Sequence, residues 1–139
     1  MIDRFGLERF VEAQEGIYEQ ACAELRAGRK RSHWMWFVFP QIRGLGSSPT
    51  AVRYGVSGLE EARAYLEHPV LGVRLRECVG IVCGVEGRTV EEIFGYPDDL
   101  KFHSSITLFV KAAGEGGVFR EALEKYFGGE MDRGTLERI

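Results

Sequence analysis

Apolar residues recur every three or four positions along most of the chain, and this spacing is typical of amphipathic α-helices. The first series predicts one long helix that ends at Gly28, because glycine favours a helix stop. Its apolar face comprises Leu7, Phe10, Val11, Gln14, Tyr18, Ala21, Cys22 and Leu25. Gln14 is the polar member of that face, so its amide either binds a loop carbonyl or faces a pocket.

Capping signals predict further helices in the middle of the chain. Ser57–Glu60 and Thr89–Glu92 both fit the capping box, and the helix that follows Thr89 stops at Gly95. Pro69 suits the first turn of another helix. The apolar stripe of that helix comprises Leu71, Leu75, Cys78, Val79 and Val82.

Two more helices are predicted towards the C-terminus. One begins at Asp98 or Asp99, which we interpret as a capping pair, and it is followed by a break from Gly114 to Gly117. Its apolar stripe comprises Phe102, Ile106, Phe109, Val110 and Ala113. The last helix ends at Gly128-Gly129, and its stripe comprises Phe119, Leu123, Tyr126 and Phe127. Residues 132–139 form a frayed turn or a short helix.

The stretch Trp34 to Phe39 is apolar on every side. A strand of this kind belongs in the centre of a parallel sheet, and the sequence contains no second such strand. We therefore predict a short buried helix with an N-cap at Ser32 and a stop at Pro40. The whole chain predicts a mainly α fold with little or no sheet. Residues 1–139 form a single compact domain of about six or seven helices in orthogonal or bundle-like packing.

Composition narrows the class of protein. The formal net charge of −3 over 139 residues argues against bulk nucleic-acid binding, which needs an excess of Lys and Arg. Charges occupy the N-terminus where a secretory signal needs apolar residues, and the longest apolar run is too short to span a bilayer. Cys22, Cys78 and Cys83 show no CxxC spacing, which predicts buried thiols in a cytoplasmic protein.

Two polar segments are candidates for a binding site. Arg29, Arg31 and His33 precede the aromatic stretch, and Gln41 with the loop around Gly44, Gly46 and Ser47 follows it. Backbone amides of a Gly/Ser loop and nearby arginines bind small anions, although a solvated basic turn explains the same residues. Lys101, Ser104 and Ser105 form the second segment, where small serines permit close approach of either a ligand or another helix.

No cofactor or metal is predicted. His33, His68 and His103 lack the spacing of metal ligands, and no GxSxG elbow accompanies His103-Ser104, so a serine hydrolase is not indicated. His33 is the candidate general acid or base, because its ordinary pKa lies near neutrality.

The segments GRKRSHWMWFVFPQIRGLGSS, EARAYLEHPVLGVRLREC and DDLKFHSSITLF resemble the family filed as domain of unknown function 1810. RFVEAQ and the region of Tyr54 resemble it as well. The resemblance implies a small, mainly α-helical domain without an established activity. Members are sometimes labelled calpastatin-like, but the chain has no TIPPxYR-type segment. His103 departs from the family, in which an Arg or another polar residue is expected.

Both polar segments belong to the family's signature blocks, and this favours one site built from the two. The first hypothesis is a cleft that binds a small anionic ligand, a nucleotide or an ADP-ribose-like molecule, with Trp34 or Trp36 stacked on the base and Arg and Lys side chains at the phosphates. The alternative is a protein–protein interaction or homodimerisation module without catalytic activity. The residues do not decide whether the protein is an enzyme.

Overall fold

A computed structural model describes residues 3–114 and 116–139, and these residues form ten helical segments. The segments are α1 (Glu8–Gln14), α2 (Tyr18–Arg26), α3 (Met35–Val38), α4 (Pro49–Arg53), α5 (Leu59–Glu67), α6 (Leu71–Cys83), α7 (Val90–Phe94), α8 (Asp98–Ala113), α9 (Gly117–Phe127) and α10 (Arg133–Leu136). The only β pairing among them is an isolated parallel bridge between Ile42 and Val56. The predicted mainly α fold is confirmed.

The number of helices exceeds the prediction for three reasons. α4 was not predicted, the tail forms the short helix α10, and the expected long helix is divided into α1 and α2 at Gly16. Gly16 has a φ of +72°, a left-handed conformation that interrupts a right-handed helix. Phe10 on α1 and Leu25 on α2 are nevertheless both buried, so the two helices present their apolar residues to the same core.

α8 is the central helix of the core. It packs against α3, α5, α7, α9 and α10, and it is buried on almost every side. Its predicted stripe residues Phe102, Ile106 and Phe109 are at most 1% exposed, whereas Ala113 at its end is exposed. No helix within 3–114 or 116–139 is long and apolar enough to cross a membrane.

The predicted N-caps are confirmed at Thr89 and wrong at Ser32, Ser57 and Asp98. Thr89 and Glu92 form the capping box that begins α7. The Ser57–Glu60 box is absent because Gly58 is the N-cap of α5, and Glu61 accepts the bonds from the Ser57 amide and hydroxyl. Asp98 belongs to the first turn of α8 without capping it, because its carboxylate pairs with lysines.

The predicted stops at Gly95 and Gly128-Gly129 agree with the ends of α7 and α9. The break between Gly114 and Gly117 also lies where α8 ends and α9 begins, although Glu115 is outside the described residues. The C-terminal tail contains α10, which begins after Asp132.

Of the two roles predicted for the Gln14 amide, the structure shows hydrogen bonding to a backbone carbonyl. Its Nε2 donates to the carbonyl of Phe37 at 2.8 Å, and its Oε1 accepts from Arg74 at 3.1 Å. Gln14 therefore connects α1 to the end of α3 and to α6.

Candidate functional site

A cavity of about 290 Å³ lies between the segment that leads into α3 and the first turn of α8. We call it the lysine cavity. Its polar and aromatic wall consists of Lys30, His33, Trp34, Trp36, Phe37, Thr50, Asp98 and Lys101. Wider surface depressions occur elsewhere, including one of about 470 Å³ beside Arg26 and Arg88 and one of about 530 Å³ beside Phe5. The lysine cavity differs from both because a buried lysine forms part of its wall.

Two lysines share one carboxylate in this wall. Lys30 Nζ lies 2.8 Å from Asp98 Oδ2, and Lys101 Nζ lies 3.3 Å from Asp98 Oδ1. Two positive charges therefore face one negative charge, which leaves an excess of one positive charge in the wall. Charges in a partly buried site interact more strongly than charges in bulk water.

The two lysines are held differently. The Lys30 side chain is only 7% exposed, and its ammonium also donates to the Ser32 carbonyl at 2.6 Å and lies 5.1 Å from the Trp34 ring centroid. Three partners match the three donors of an ammonium group. The Lys101 side chain is 26% exposed, and its Nζ lies 4.4 Å from the Trp36 ring centroid. Lys101 is thus the cation that remains accessible to a ligand.

Glu24 on α2 fixes the backbone that leads into the cavity. Its Oε1 accepts from the amides of Arg31 and Ser32 and from Trp34 Nε1, at 2.8, 3.1 and 2.9 Å. Its Oε2 accepts from the Ser32 hydroxyl at 2.6 Å. Burial raises the pKa of this carboxyl, but the bonds it accepts outweigh burial and lower the pKa to about 2. Glu24 is therefore a permanent anion that organises the loop.

The tryptophans occupy different environments. Trp34 is 1% exposed and stands at the N-cap position of α3, so the predicted cap at Ser32 is wrong: the Ser32 hydroxyl is engaged by Glu24. Trp36 is half-buried, and Gly46 packs against its ring. A Cβ added to Gly46 would lie 3.1 Å from the Trp36 ring and 2.9 Å from the Ala51 Cβ. Gly46 thus supports the Trp36 ring by close approach.

The structure brings together three of the residues predicted for the site. His33, Trp34 and Lys101 line the lysine cavity. Arg29, Arg31 and Ser47 are exposed and do not line it, and Gly44 lies beside the Arg138 side chain. Gln41 is buried, and its Nε2 has no hydrogen-bond partner among the described residues.

The two serines of the second segment lie apart from the cavity. The Ser104 hydroxyl donates to Asp132 Oδ2 at 3.0 Å and to the Leu100 carbonyl at 3.2 Å. Ser105 is 1% exposed, and its hydroxyl has no partner in the described part of the chain. His103 stacks on Phe127 and bonds the Glu130 carbonyl at 2.7 Å. The Ser104 side of α8 therefore contacts the C-terminal tail.

Residues 4–139 match the family model described as a protein of unknown function (DUF1810). The chain belongs to the DUF1810 family. It is similar to the crystal structure of the conserved hypothetical protein Rv1873 from Mycobacterium tuberculosis, at 61% sequence identity and a TM-score of 0.95. That similarity covers 97% of this chain and 96% of the other. No curated protein matches the chain. The family predicted from the sequence is confirmed.

Sequence reasoning did not assign four residues of this DUF1810 site. Glu24, Lys30, Thr50 and Asp98 were absent from the predicted set, although Lys30 lies within the signature segment GRKRSHW. Asp98 precedes Lys101 by three positions, a spacing that places both side chains on one helical face. That spacing was the one local signal for the pair.

The remaining titratable side chains do not suggest a metal site. No group of three His, Cys, Asp or Glu residues that suits a metal ion occurs in the ranges 3–114 and 116–139. Cys22 and Cys78 are buried free thiols, and Cys83 is half-buried.

Proposed function

We propose that this DUF1810 protein binds a small anionic ligand, a nucleotide or an ADP-ribose-like molecule, in the lysine cavity. The observation that carries the proposal is the pairing of Lys30 and Lys101 with the single carboxylate of Asp98 beside two indole rings. A ligand anion balances the excess positive charge. The base of a nucleotide stacks on the indole ring of Trp36.

Each wall residue has a distinct role in this proposal. Lys101 binds the phosphate, since its contact with Asp98 is the longer of the two and its ammonium is partly exposed. Lys30 keeps Asp98 in place. His33 is exposed at the cavity and supplies a second donor to the anion, or a general acid if the ligand is turned over.

The cavity volume limits the size of the bound group. About 290 Å³ lies just below the range of about 300–1,000 Å³ for small-molecule sites. One nucleotide unit therefore occupies the cavity. The remainder of an ADP-ribose-like molecule extends over the exposed surface near His33.

Thermal unfolding with ligands tests the proposal. We expect AMP, ADP or ADP-ribose at about 100 times its dissociation constant to stabilise the protein by about 2.7 kcal/mol, which raises the midpoint by several degrees. Lys101→Ala should lose this shift. Lys111→Ala, an exposed lysine near the end of the same helix, should retain it. The proposal fails if no phosphorylated ligand raises the wild-type midpoint, or if Lys101→Ala responds like the wild type.

Substitution of each lysine should also distinguish a role in folding from a role in ligand binding. Lys30→Met leaves the partly buried Asp98 carboxylate without its closer partner, so we expect a loss of about 2–3 kcal/mol in the free energy of unfolding. Lys101→Met should cost less than about 1 kcal/mol, because its pair with Asp98 is longer and partly exposed. Urea unfolding of both variants measures the difference. Equal costs would contradict the assignment of Lys30 as structural and Lys101 as ligand-binding.

A further inference from the structure

The contact between α2 and α6 contains two thiols outside the lysine cavity. Cys22 lies on α2 and Cys78 on α6, and their sulfur atoms are 3.9 Å apart. They are 2% and 0% exposed. The two residues are 56 positions apart in sequence, so a bond between them would join two helices that the chain connects only through a long path.

We propose that Cys22 and Cys78 form a reversible disulfide when the folded protein meets hydrogen peroxide, and that this bond locks α2 to α6. A disulfide has a sulfur–sulfur distance of about 2.05 Å. The sulfurs must therefore approach by about 2 Å, which the two side chains and a small shift of the packed helices share.

One hydrogen bond joins the two sulfur atoms, and either thiol can be its donor. When Cys78 is the donor, this bond lowers the pKa of Cys22 against the opposing effect of burial, and Cys22 is then the attacking sulfur. The same bond, together with burial, raises the pKa of Cys78, whose proton is held between the sulfurs. The thiolate is the reactive form of cysteine, so this asymmetry separates an attacking from a resolving thiol.

The reaction balances with one peroxide per disulfide. The Cys22 thiolate attacks one peroxide oxygen, the O–O bond breaks, and Cys22 becomes a sulfenic acid while the other oxygen leaves as hydroxide. Cys78 then attacks the Cys22 sulfur, the S–O bond breaks, and a second hydroxide leaves. The protons of the two original thiols convert both hydroxides to water, so two thiols are oxidised and one peroxide is reduced.

The pair is buried, and the Tyr18 side chain lies beside Cys22. Tyr18 precedes Cys22 by one helical turn, and its hydroxyl donates to the carboxylate of Glu77. Glu77 is exposed and is the sequence neighbour of Cys78. The proposal requires the Tyr18 side chain to move aside so that a small peroxide reaches Cys22.

Peroxide treatment of the full folded chain, followed by unfolding, alkylation and peptide mapping, tests the proposal. We expect one alkylated cysteine, Cys83, in place of three, and a cross-linked peptide pair that contains Cys22 and Cys78. Dithiothreitol should restore three alkylated cysteines. Cys83→Ser should give the same cross-link and no alkylated cysteine. Three alkylated cysteines after peroxide, a sulfinic acid on Cys22 beside an alkylated Cys78, or a disulfide that includes Cys83 would each overturn the proposal.

The thermal midpoint measures whether the bond locks the two helices. A cross-link between residues this far apart restricts the unfolded chain, so the oxidised protein should unfold several degrees above the reduced protein. The difference should vanish in dithiothreitol. An unchanged or lower midpoint for protein that carries the mapped cross-link would contradict the locking role.

Discussion

The structural role of a polar residue in this molecule depends on its hydrogen-bond partners rather than on its residue type. Glu24 and Glu60 are both glutamates on helices, yet Glu24 accepts five hydrogen bonds in the interior and Glu60 forms an exposed pair with Arg4. Helical periodicity assigns both to polar positions. Four of the five donors to Glu24 come from the folded loop from Arg31 to Trp34, and the fifth is Gln20 on the same helix.

Glu24 should make stability depend on pH. Its pKa is about 2 in the folded protein against an ordinary value of 4.5, so its contribution is fully present above about pH 5 and is lost as the pH falls towards 2. We expect Glu24→Gln to lower the free energy of unfolding by about 2–3 kcal/mol at pH 7, because the charge-assisted bonds weaken. Urea unfolding between pH 3 and pH 7 should show the difference from wild type shrinking as the pH falls.

Glu19→Gln is the matched control, since Glu19 is exposed on the same helix. It should change stability by less than about 0.5 kcal/mol at either pH. A Glu24→Gln difference that stays constant across this pH range would contradict the role of the Glu24 charge.

At the scale of elements, the sequence predicted which segments are helical better than where each one begins. The stripes of α6, α8 and α9 follow from three- and four-residue spacing, because burial selects apolar residues on one face. The break between α1 and α2 at Gly16 was not predicted, since the apolar spacing continues across it. A single glycine inside a helical pattern is compatible with either a helix or a turn, and the tertiary packing decides between them.

Two glycines should therefore respond oppositely to alanine. Gly16→Ala places a side chain on a residue with a φ of +72°, and we expect a loss of about 1 kcal/mol in the free energy of unfolding. Gly80 lies within α6, and a Cβ there would meet only the Val118 side chain at 4.0 Å. Gly80→Ala should stabilise the protein by about 0.5–1 kcal/mol. Urea unfolding measures both, and the same sign for the two variants would contradict the assigned break.

At the scale of the whole molecule, the site depends on contacts that no local pattern contains. The signature blocks contain His33, Trp34 and Lys101, and these three residues line one cavity. The pairing of Lys30 with Asp98 joins two distant segments, and the position of Ser104 depends on where the tail packs. Spacing along a helix shows which residues share a face, but it does not show which other segment covers that face.

The C-terminal tail is held to α8 mainly through Asp132. Its Oδ2 accepts from the Ser104 hydroxyl, the Thr135 amide and the Thr135 hydroxyl at 3.0, 3.0 and 2.6 Å, and its amide donates to Thr107. We expect Asp132→Ala to cost about 2 kcal/mol, because α10 loses its cap and the Ser104 and Thr135 hydroxyls lose their common acceptor. Arg133→Ala, an exposed neighbour, should cost less than about 0.5 kcal/mol.

Hydrogen exchange can separate local release of the tail from a general loss of stability. In Asp132→Ala the amides of α10 should exchange faster than those of α8 relative to wild type, because α8 retains its contacts with α5 and α9. The lysine cavity lies at the first turn of α8, whereas Asp132 contacts Ser104 and Thr107 farther along the helix. Ligand-induced stabilisation should consequently survive in Asp132→Ala. Its loss would mean that the tail and the cavity form one cooperative unit.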